Sequence, residues 1–263
     1  MRKVLVLLCL GGVTAFAQIG SSSQYSAAPQ LDWTFGVHRS QPTFSATAVG
    51  TKDGKASLVD TDADLGLGRS GSPTGAFLEY SGQAHGFRLG YDALRFEGER
   101  TLTRDIMLDG QPYSAGTGLR SKAKFMVLEG LYTYKFLRQA DAWVGLDLGA
   151  QVLKTELSAF TLSGPPASSA ISPTLVLPQV GISGWSSGAG GLLESRVFYR
   201  YFRLHGASFS RYGLDARAYL YPRFGLRVFY EAATAKAPAG STQGNLDLRA
   251  DSRLSGLGLV IRF

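Results

Sequence analysis

The chain has 263 residues, 18% of them charged, a formal charge of +7, and glycine and aromatic residues spread along its length. That is long enough for a sizeable core, yet after residue 17 no segment keeps a helical period, and no apolar run approaches the ~18 residues of a membrane-spanning helix. Helical membrane classes are excluded, and the single cysteine, Cys9, lies in the leader described next, so the mature chain has neither a disulfide nor thiol chemistry.

The N-terminus reads as an export signal. Arg2 and Lys3 precede an apolar run at 4–10, and Ala15-Phe16-Ala17 supplies a small-x-small cleavage site. The expected organisation is a signal peptide at 1–17 cleaved after Ala17, a short periplasmic segment at 18–29 and one domain at 30–263. Cys9 follows Leu8, where a lipoprotein signal would carry a small residue, so no lipidation is expected. Removing Arg2 and Lys3 leaves +5, and an exported chain rarely meets nucleic acid; no such partner is expected.

The rest of the chain repeats one event. Leu31, Trp33, Phe35 and Val37 alternate with Asp32, Thr34, Gly36 and His38, and Phe87, Leu89, Tyr91 and Ala93 alternate with Arg88, Gly90 and Asp92. Even positions 126–136 form an apolar face opposite Glu129, Thr133 and Lys135; even positions 142–152 oppose Trp143, Asp147 and Gln151. Leu193, Val197, Tyr199 and Tyr201 oppose Glu194, Arg196 and Arg200, and the even positions 212–220 oppose Asp215 and Arg217. Phe224, Leu226, Val228 and Tyr230 oppose Arg227 and Glu231, and Leu257, Leu259, Ile261 and Phe263 close the series. Period two is the signature of strands with one apolar face. Segments 74–82 and 177–187 share the pattern weakly because glycine and serine dilute it; with them the strands number ten, without them eight.

Connections at 81–85, 137–141, 187–191 and 221–223 are short, whereas those at 40–73, 97–120, 157–176 and 237–246 are long. Short turns at one end, long loops at the other, and eleven-residue apolar stripes fit an all-β, transmembrane, antiparallel up-and-down barrel. The alternative is a secreted β-sandwich, but opposed charges on successive strands suit a narrow polar lumen better than a washed exterior. The terminal stretch SGLGLVIRF, the hairpins from about residue 73 onward and the stretch DTDADLGLGRSGSPTGAFLEY resemble bacterial outer-membrane β-barrel proteins of the small porin-like superfamily. The resemblance implies an outer-membrane location in a Gram-negative cell. It also implies that Leu257, Leu259, Ile261 and Phe263 form a signal read by the barrel-assembly machinery.

The register sets two expectations for sites. Arg88, Asp92, Glu129, Asp147, Glu194, Arg196, Arg200, Asp215, Arg217, Arg227 and Glu231 face inward, with Asp32, Glu79 and Lys135. In so narrow a barrel they form either an ion-pair network that plugs the lumen or the lining of a narrow passive pore; the plug is the expectation. Outward, each apolar stripe ends toward the long loops in a base: Arg39, Arg95, Lys124, Lys154, Arg203, Lys236 and Arg253. These form a candidate collar for lipopolysaccharide phosphates, or else snorkel without specific binding.

Catalysis is not expected. His85 falls in a periplasmic turn, His205 near a loop apex with Ser208 close by, and His38 in the lumen without an adjacent nucleophile. No metal or cofactor motif stands out. With Phe263 closing the expected last strand, the soluble domain of a peptidoglycan anchor is not expected, and KASLVD and TLTRDIML within the long loops read as hairpins able to meet a partner or shield the barrel mouth. The expected protein is a monomeric barrel with a structural or interaction role.

Overall fold

The computed structural model describes residues 33–52, 55–67, 73–162, 167–171, 174–239 and 245–263. The expected signal peptide, the segment at 18–29 and the inward acid Asp32 lie outside the described residues.

In chain order the strands are β1 (Trp33–Lys52), β2 (Lys55–Asp60), β3 (Thr74–Ser81), β4 (His85–Thr101), β5 (Ile106–Leu108), β6 (Gln111–Tyr113) and β7 (Gly118–Arg138). They continue with β8 (Ala142–Thr161), β9 (Ser168–Ile171), β10 (Thr174–Gly188), β11 (Leu193–Leu204), β12 (Ala207–Tyr219), β13 (Phe224–Ala237) and β14 (Asn245–Arg262). The order β14-β13-β12-β11-β10-β8-β7-β4-β3-β1 is antiparallel throughout and closes where β14 pairs with β1, giving a ten-stranded barrel. The remaining β2, β5, β6 and β9 belong to the long connections.

Paired residues followed once around the wall give its stagger. From Thr174 the path runs through Lys154, Met126, Ala93, Thr74, Arg39, Leu257, Val228, Ala216 and Ser195, and returns to the same strand at Ser186, twelve residues along. That stagger tilts the strands by roughly 40° to the axis.

The two diluted segments are strands, β3 and β10, so the count is ten. Their small residues serve the interior. A Cβ on Gly75 would run into the side chains of Asp92 and His38, so glycine there makes room for lumen groups rather than weakening a strand.

The strands rise further than the sequence predicts. β1, β4, β7, β8 and β14 extend into the expected loops, and KASLVD and part of TLTRDIML form β2 and β5. On β7 the reason is visible. Its lower half points Met126, Leu128, Tyr134 and Phe136 outward and Glu129, Thr133 and Lys135 inward. Its upper half points Arg120, Lys122 and Lys124 outward and Leu119, Ala123 and Phe125 inward. The apolar stripe changes face where the surroundings change from lipid to water, and a reading keyed to the outward stripe ends there.

Outward apolar residues ring the lower half, from Trp33, Phe35 and Val37 on β1 to Leu257, Leu259 and Phe263 at the end of the chain, all exposed. Aromatic rings crowd the short-turn rim: Trp33 lies 5.0 Å from Tyr80, and Phe87 lies 5.2 Å from Tyr132. Such a girdled apolar band is a surface for lipid, not water. Trp33 and Phe263 exchange backbone hydrogen bonds of 3.0 and 3.2 Å, which completes closure at this rim.

Candidate functional site

Within the belt the lumen is filled by charge. Glu79 on β3 meets Arg88 at 3.1 Å, Arg217 at 3.1 Å and Arg196 at 3.3 Å, so three strands deliver guanidinium groups to one carboxylate. Asp215 accepts from Arg227 at 2.8 Å and Arg217 at 3.2 Å, with Arg88 at 3.8 Å. Asp147 accepts from Thr133 at 2.7 Å, Ser183 at 2.8 Å and Arg200 at 3.1 Å. Glu129 takes Arg200 at 2.8 Å and Arg211 at 2.7 Å, and Arg211 also pairs with Glu231. Nearer the short-turn rim, Glu194 takes Arg262 at 3.0 Å, Tyr219 at 3.2 Å and Arg217 at 3.7 Å.

Aromatic plates hold these heads in place. Phe77 carries Arg88, Arg227 and Arg217 over its ring at 4.4, 4.8 and 5.2 Å, and Phe198 carries Arg200 at 4.2 Å. A guanidinium is flat and weakly hydrated, so it can stack on a ring while its edge serves carboxylates. The packing is tight: Asp147 is 0% exposed, Arg227 1% and Arg200 2%.

His38 joins this layer. Its Nε2 lies 2.7 Å from Asp92 Oδ1, and Arg227 Nη1 lies 3.1 Å from its Nδ1. Arginine can only donate, so Nδ1 accepts and Nε2 carries the proton given to Asp92.

Above the charges lies a second filling of different chemistry. Val59, Leu65, Leu67, Phe96, Leu102, Ile106, Leu108, Tyr113, Leu119, Ala123, Phe125 and Ala159 form one buried cluster, with Phe44 and Leu153 packed against it. These residues come from the upper inner wall and from the long connections folded into it. Residues 60–67, DTDADLGL, form the turn that delivers two of them. Asp60 Oδ1 accepts the backbone N–H groups of Asp62 and Ala63 at 2.9 and 2.7 Å, a local cap that turns the chain. Asp64 accepts the Asp60 N–H at 2.8 Å and two bonds from Arg104 at 3.1 and 2.7 Å. Burial opposes the Asp64 charge, but the Arg104 guanidinium and the Asp60 N–H outweigh it and hold the carboxyl below its ordinary value. Leu65 and Leu67 follow and are fully buried. At Gly98 a Cβ would strike the Leu65 and Gly66 carbonyls, so glycine lets the turn lie against the wall.

The residues singled out in the sequence fall as follows. Arg88, Asp92, Glu129, Asp147, Glu194, Arg196, Arg200, Asp215, Arg217, Arg227 and Glu231 all join the inner layer just described. Arg95, Lys124, Lys154, Arg203, Lys236 and Arg253 are exposed on the outer wall at the top of the belt. Arg39 does not share that level: it pairs with Leu257, whereas Arg253 pairs with Thr43, four positions higher on β1. The stagger is the reason, because the ends of neighbouring stripes are not level when strands tilt. Leu257, Leu259, Ile261 and Phe263 face outward, their strand paired on both sides.

Two members of the inner layer, Arg211 and Arg262, were missed. Both were within reach: Arg211 continues the inward series of Asp215 and Arg217, and Arg262 sits between the outward Ile261 and Phe263. His85 bonds to the Tyr132 hydroxyl at 2.6 Å at the short-turn end, and His205 and Gly206, with φ of 47° and 84°, form the β11–β12 turn at the opposite end.

No known family and no curated protein matches the chain in sequence. In structure it is similar to the outer membrane protease OmpT of Escherichia coli, with a TM-score of 0.65 at 10% identity over 92% of this chain and 100% of that one. It is also similar to the translocator domain of the autotransporter NalP of Neisseria meningitidis (TM-score 0.46, 9% identity, 100% of this chain and 98% of that one). A third likeness is to Ail, the attachment invasion locus protein of Yersinia pestis (TM-score 0.36, 10% identity, 88% and 98%). The first carries the comparison, and at such identity it is a likeness of fold rather than of activity. With its belt, its closure and its short-turn rim, the chain has the fold of the bacterial outer-membrane β-barrels.

Proposed function

We propose that this protein is an integral outer-membrane barrel with a structural or interaction role, its lumen sealed rather than conducting, and its upper rim turned toward lipopolysaccharide. The observation that carries this reading is the succession of two unlike seals in one lumen. A charged layer, in which Asp147 and Arg227 are buried, lies below an apolar layer in which Phe96, Leu108 and Leu119 are 0% exposed. A narrow passive pore needs a continuous wet path with groups that bind and release ions in turn. Carboxylates already shared among two or three guanidinium groups do not offer that.

The role is taken as non-catalytic. His38 is engaged by Asp92 and Arg227, His85 by the Tyr132 hydroxyl, and His205 stands at a turn; among the described residues none of them is bonded to a serine, threonine or cysteine. The activity named for the Escherichia coli structure is not transferred. The basic collar of Arg95, Lys124, Lys154, Arg203, Lys236 and Arg253 supports contact with outer-leaflet phosphates, because long cationic stems can lie on apolar wall while their heads reach oxygen. Leu257, Leu259, Ile261 and Phe263 would meet the assembly machinery before closure and lipid afterwards, and the barrel would work as a monomer.

The test is single-channel recording of the refolded mature chain in a bilayer with a lipopolysaccharide outer leaflet. Electrical silence from folded protein is expected. Steady, reproducible current steps would replace this reading with the pore.

A further inference from the structure

Above the belt the outer faces of β4, β7 and β8 carry a ladder of cross-strand charges. Glu99 stands opposite Arg120 and is bonded to it at 2.6 Å, Glu97 stands opposite Lys122 at 4.0 Å, and Lys124 stands opposite Glu156 at 3.8 Å. Each rung joins opposite signs, as exposed cross-strand pairs prefer. The lowest rung breaks the rule. Arg95 stands directly opposite Lys124, and Lys154, diagonally below, shares Glu156 at 3.7 Å. Two like charges face each other, and one carboxylate serves both lysines.

That rung is also the boundary of the belt. Tyr91, Ala93 and Met126 lie immediately below it on the same outer face, and a groove of about 620 Å³ opens between them and the three bases. Small Ala93 between larger neighbours makes its floor apolar and hollow, and the floor continues the lipid-facing surface. Glu97 and Glu156 also line the groove, so its rim sets three bases against two acids, and an anion with an apolar tail matches both the remaining positive charge and the hollow below it.

We infer that this groove binds an acylated, phosphorylated glycolipid of the outer leaflet. Its phosphate sits between Arg95 and Lys124 with Lys154 alongside, and an acyl chain lies over Tyr91, Ala93 and Met126. The inference rests on the proposed contact with lipopolysaccharide and narrows it from a collar to one site.

The test compares lipid retained by the refolded mature chain, by native mass spectrometry, for two double variants. One is Arg95→Gln with Lys124→Gln; the other, Arg203→Gln with Arg253→Gln, lies on β11 and β14, away from the groove. All four side chains are exposed, so both variants are expected to fold, and protease resistance of the barrel checks this. The probes are lipid A with its phosphates, the same lipid dephosphorylated, and inorganic phosphate. The groove variant is expected to lose about tenfold in retention of phosphorylated lipid A, the scale of one lost charge-assisted bond, while the other variant, which removes collar bases outside the groove, loses only about two- to threefold. Dephosphorylated lipid A should bind wild type as weakly as phosphorylated lipid A binds the groove variant.

Equal losses in both variants would overturn the groove and leave the collar standing. Loss only in the second variant would do the same. No loss in either would remove both. Displacement of the lipid by millimolar inorganic phosphate would overturn a lipid site in favour of one for a small anion.

Discussion

The lower and upper halves of this lumen are built by the same strands and obey opposite rules. On β7, Glu129 and Thr133 point inward below, while Ala123 and Phe125 point inward above, with no break in the alternation between them. What changes is the outside. Where lipid surrounds the wall, apolar side chains are best placed outward, and the interior is left to polar groups that must satisfy one another. Where water surrounds it, the same wall can hold an ordinary hydrophobic core. The lower seal therefore depends on mutual pairing and the upper one on packing, and the two should fail in different ways.

The largest expected effect is in the lower half. Glu79→Gln removes the charge shared by Arg88, Arg196 and Arg217 and leaves buried guanidinium groups uncompensated. A loss of roughly 3–5 kcal/mol in reversible urea unfolding from lipid vesicles is expected, with the whole barrel destabilised. Its counterpart above is Phe96→Ala, which empties the centre of the apolar cluster. That change is expected to cost about 3 kcal/mol or somewhat more, but to appear as faster hydrogen exchange in β2 and β5 while the belt strands stay protected. If the belt strands loosened equally, the two halves would be one cooperative unit.

A smaller effect separates the halves by pH. Because Arg104 and the Asp60 N–H lower the Asp64 pKa in the folded state, the charged form stabilises the cap at all pH values above the ordinary carboxylate pKa of ~3.9. That contribution is lost as pH falls through the folded value. Proteolysis of the 60–67 turn should accelerate below about pH 4 in wild type, and Asp64→Asn should show the faster rate already at neutral pH, with a cost of roughly 1–3 kcal/mol. The smallest effect belongs to the outer ladder. Arg120→Gln breaks an exposed pair with Glu99 and should change stability by less than about 1 kcal/mol, less still in high salt.

The lower half was legible in the sequence because its outward stripes are long and regular. Parity then gave Asp147, Arg200, Arg217 and Arg227 their inward places. The same parity covers Arg262, between Ile261 and Phe263, and reaches Arg211 once the stripe that starts at Tyr212 is extended one step. The upper half was harder to read. Its strands keep period two but move the apolar set to the other face, so a pattern keyed to the outward stripe ends before β1, β4, β7 and β8 do. The turn at 60–67 carries no periodicity at all; its structure comes from Asp60 and Asp64 capping backbone N–H groups and from Arg104, forty residues from Asp64 in sequence. The misplacement of Arg39 has another cause, since strand stagger is a property of the closed wall and not of any one strand.

The central claim is that water does not pass from either end to the middle of the lumen. On β1, Ser40 follows His38 of the charged layer and precedes Phe44 of the apolar one; it is 3% exposed, and its hydroxyl has no hydrogen-bond partner among the described residues, so Ser40→Cys removes no bond. The mature chain is expected to lack cysteine, which makes this thiol the only target. In vesicles, a small charged thiol reagent added to either side should leave it unmodified for as long as the barrel stays folded and should modify it at once in urea. Rapid labelling of the folded protein from either side would contradict the account.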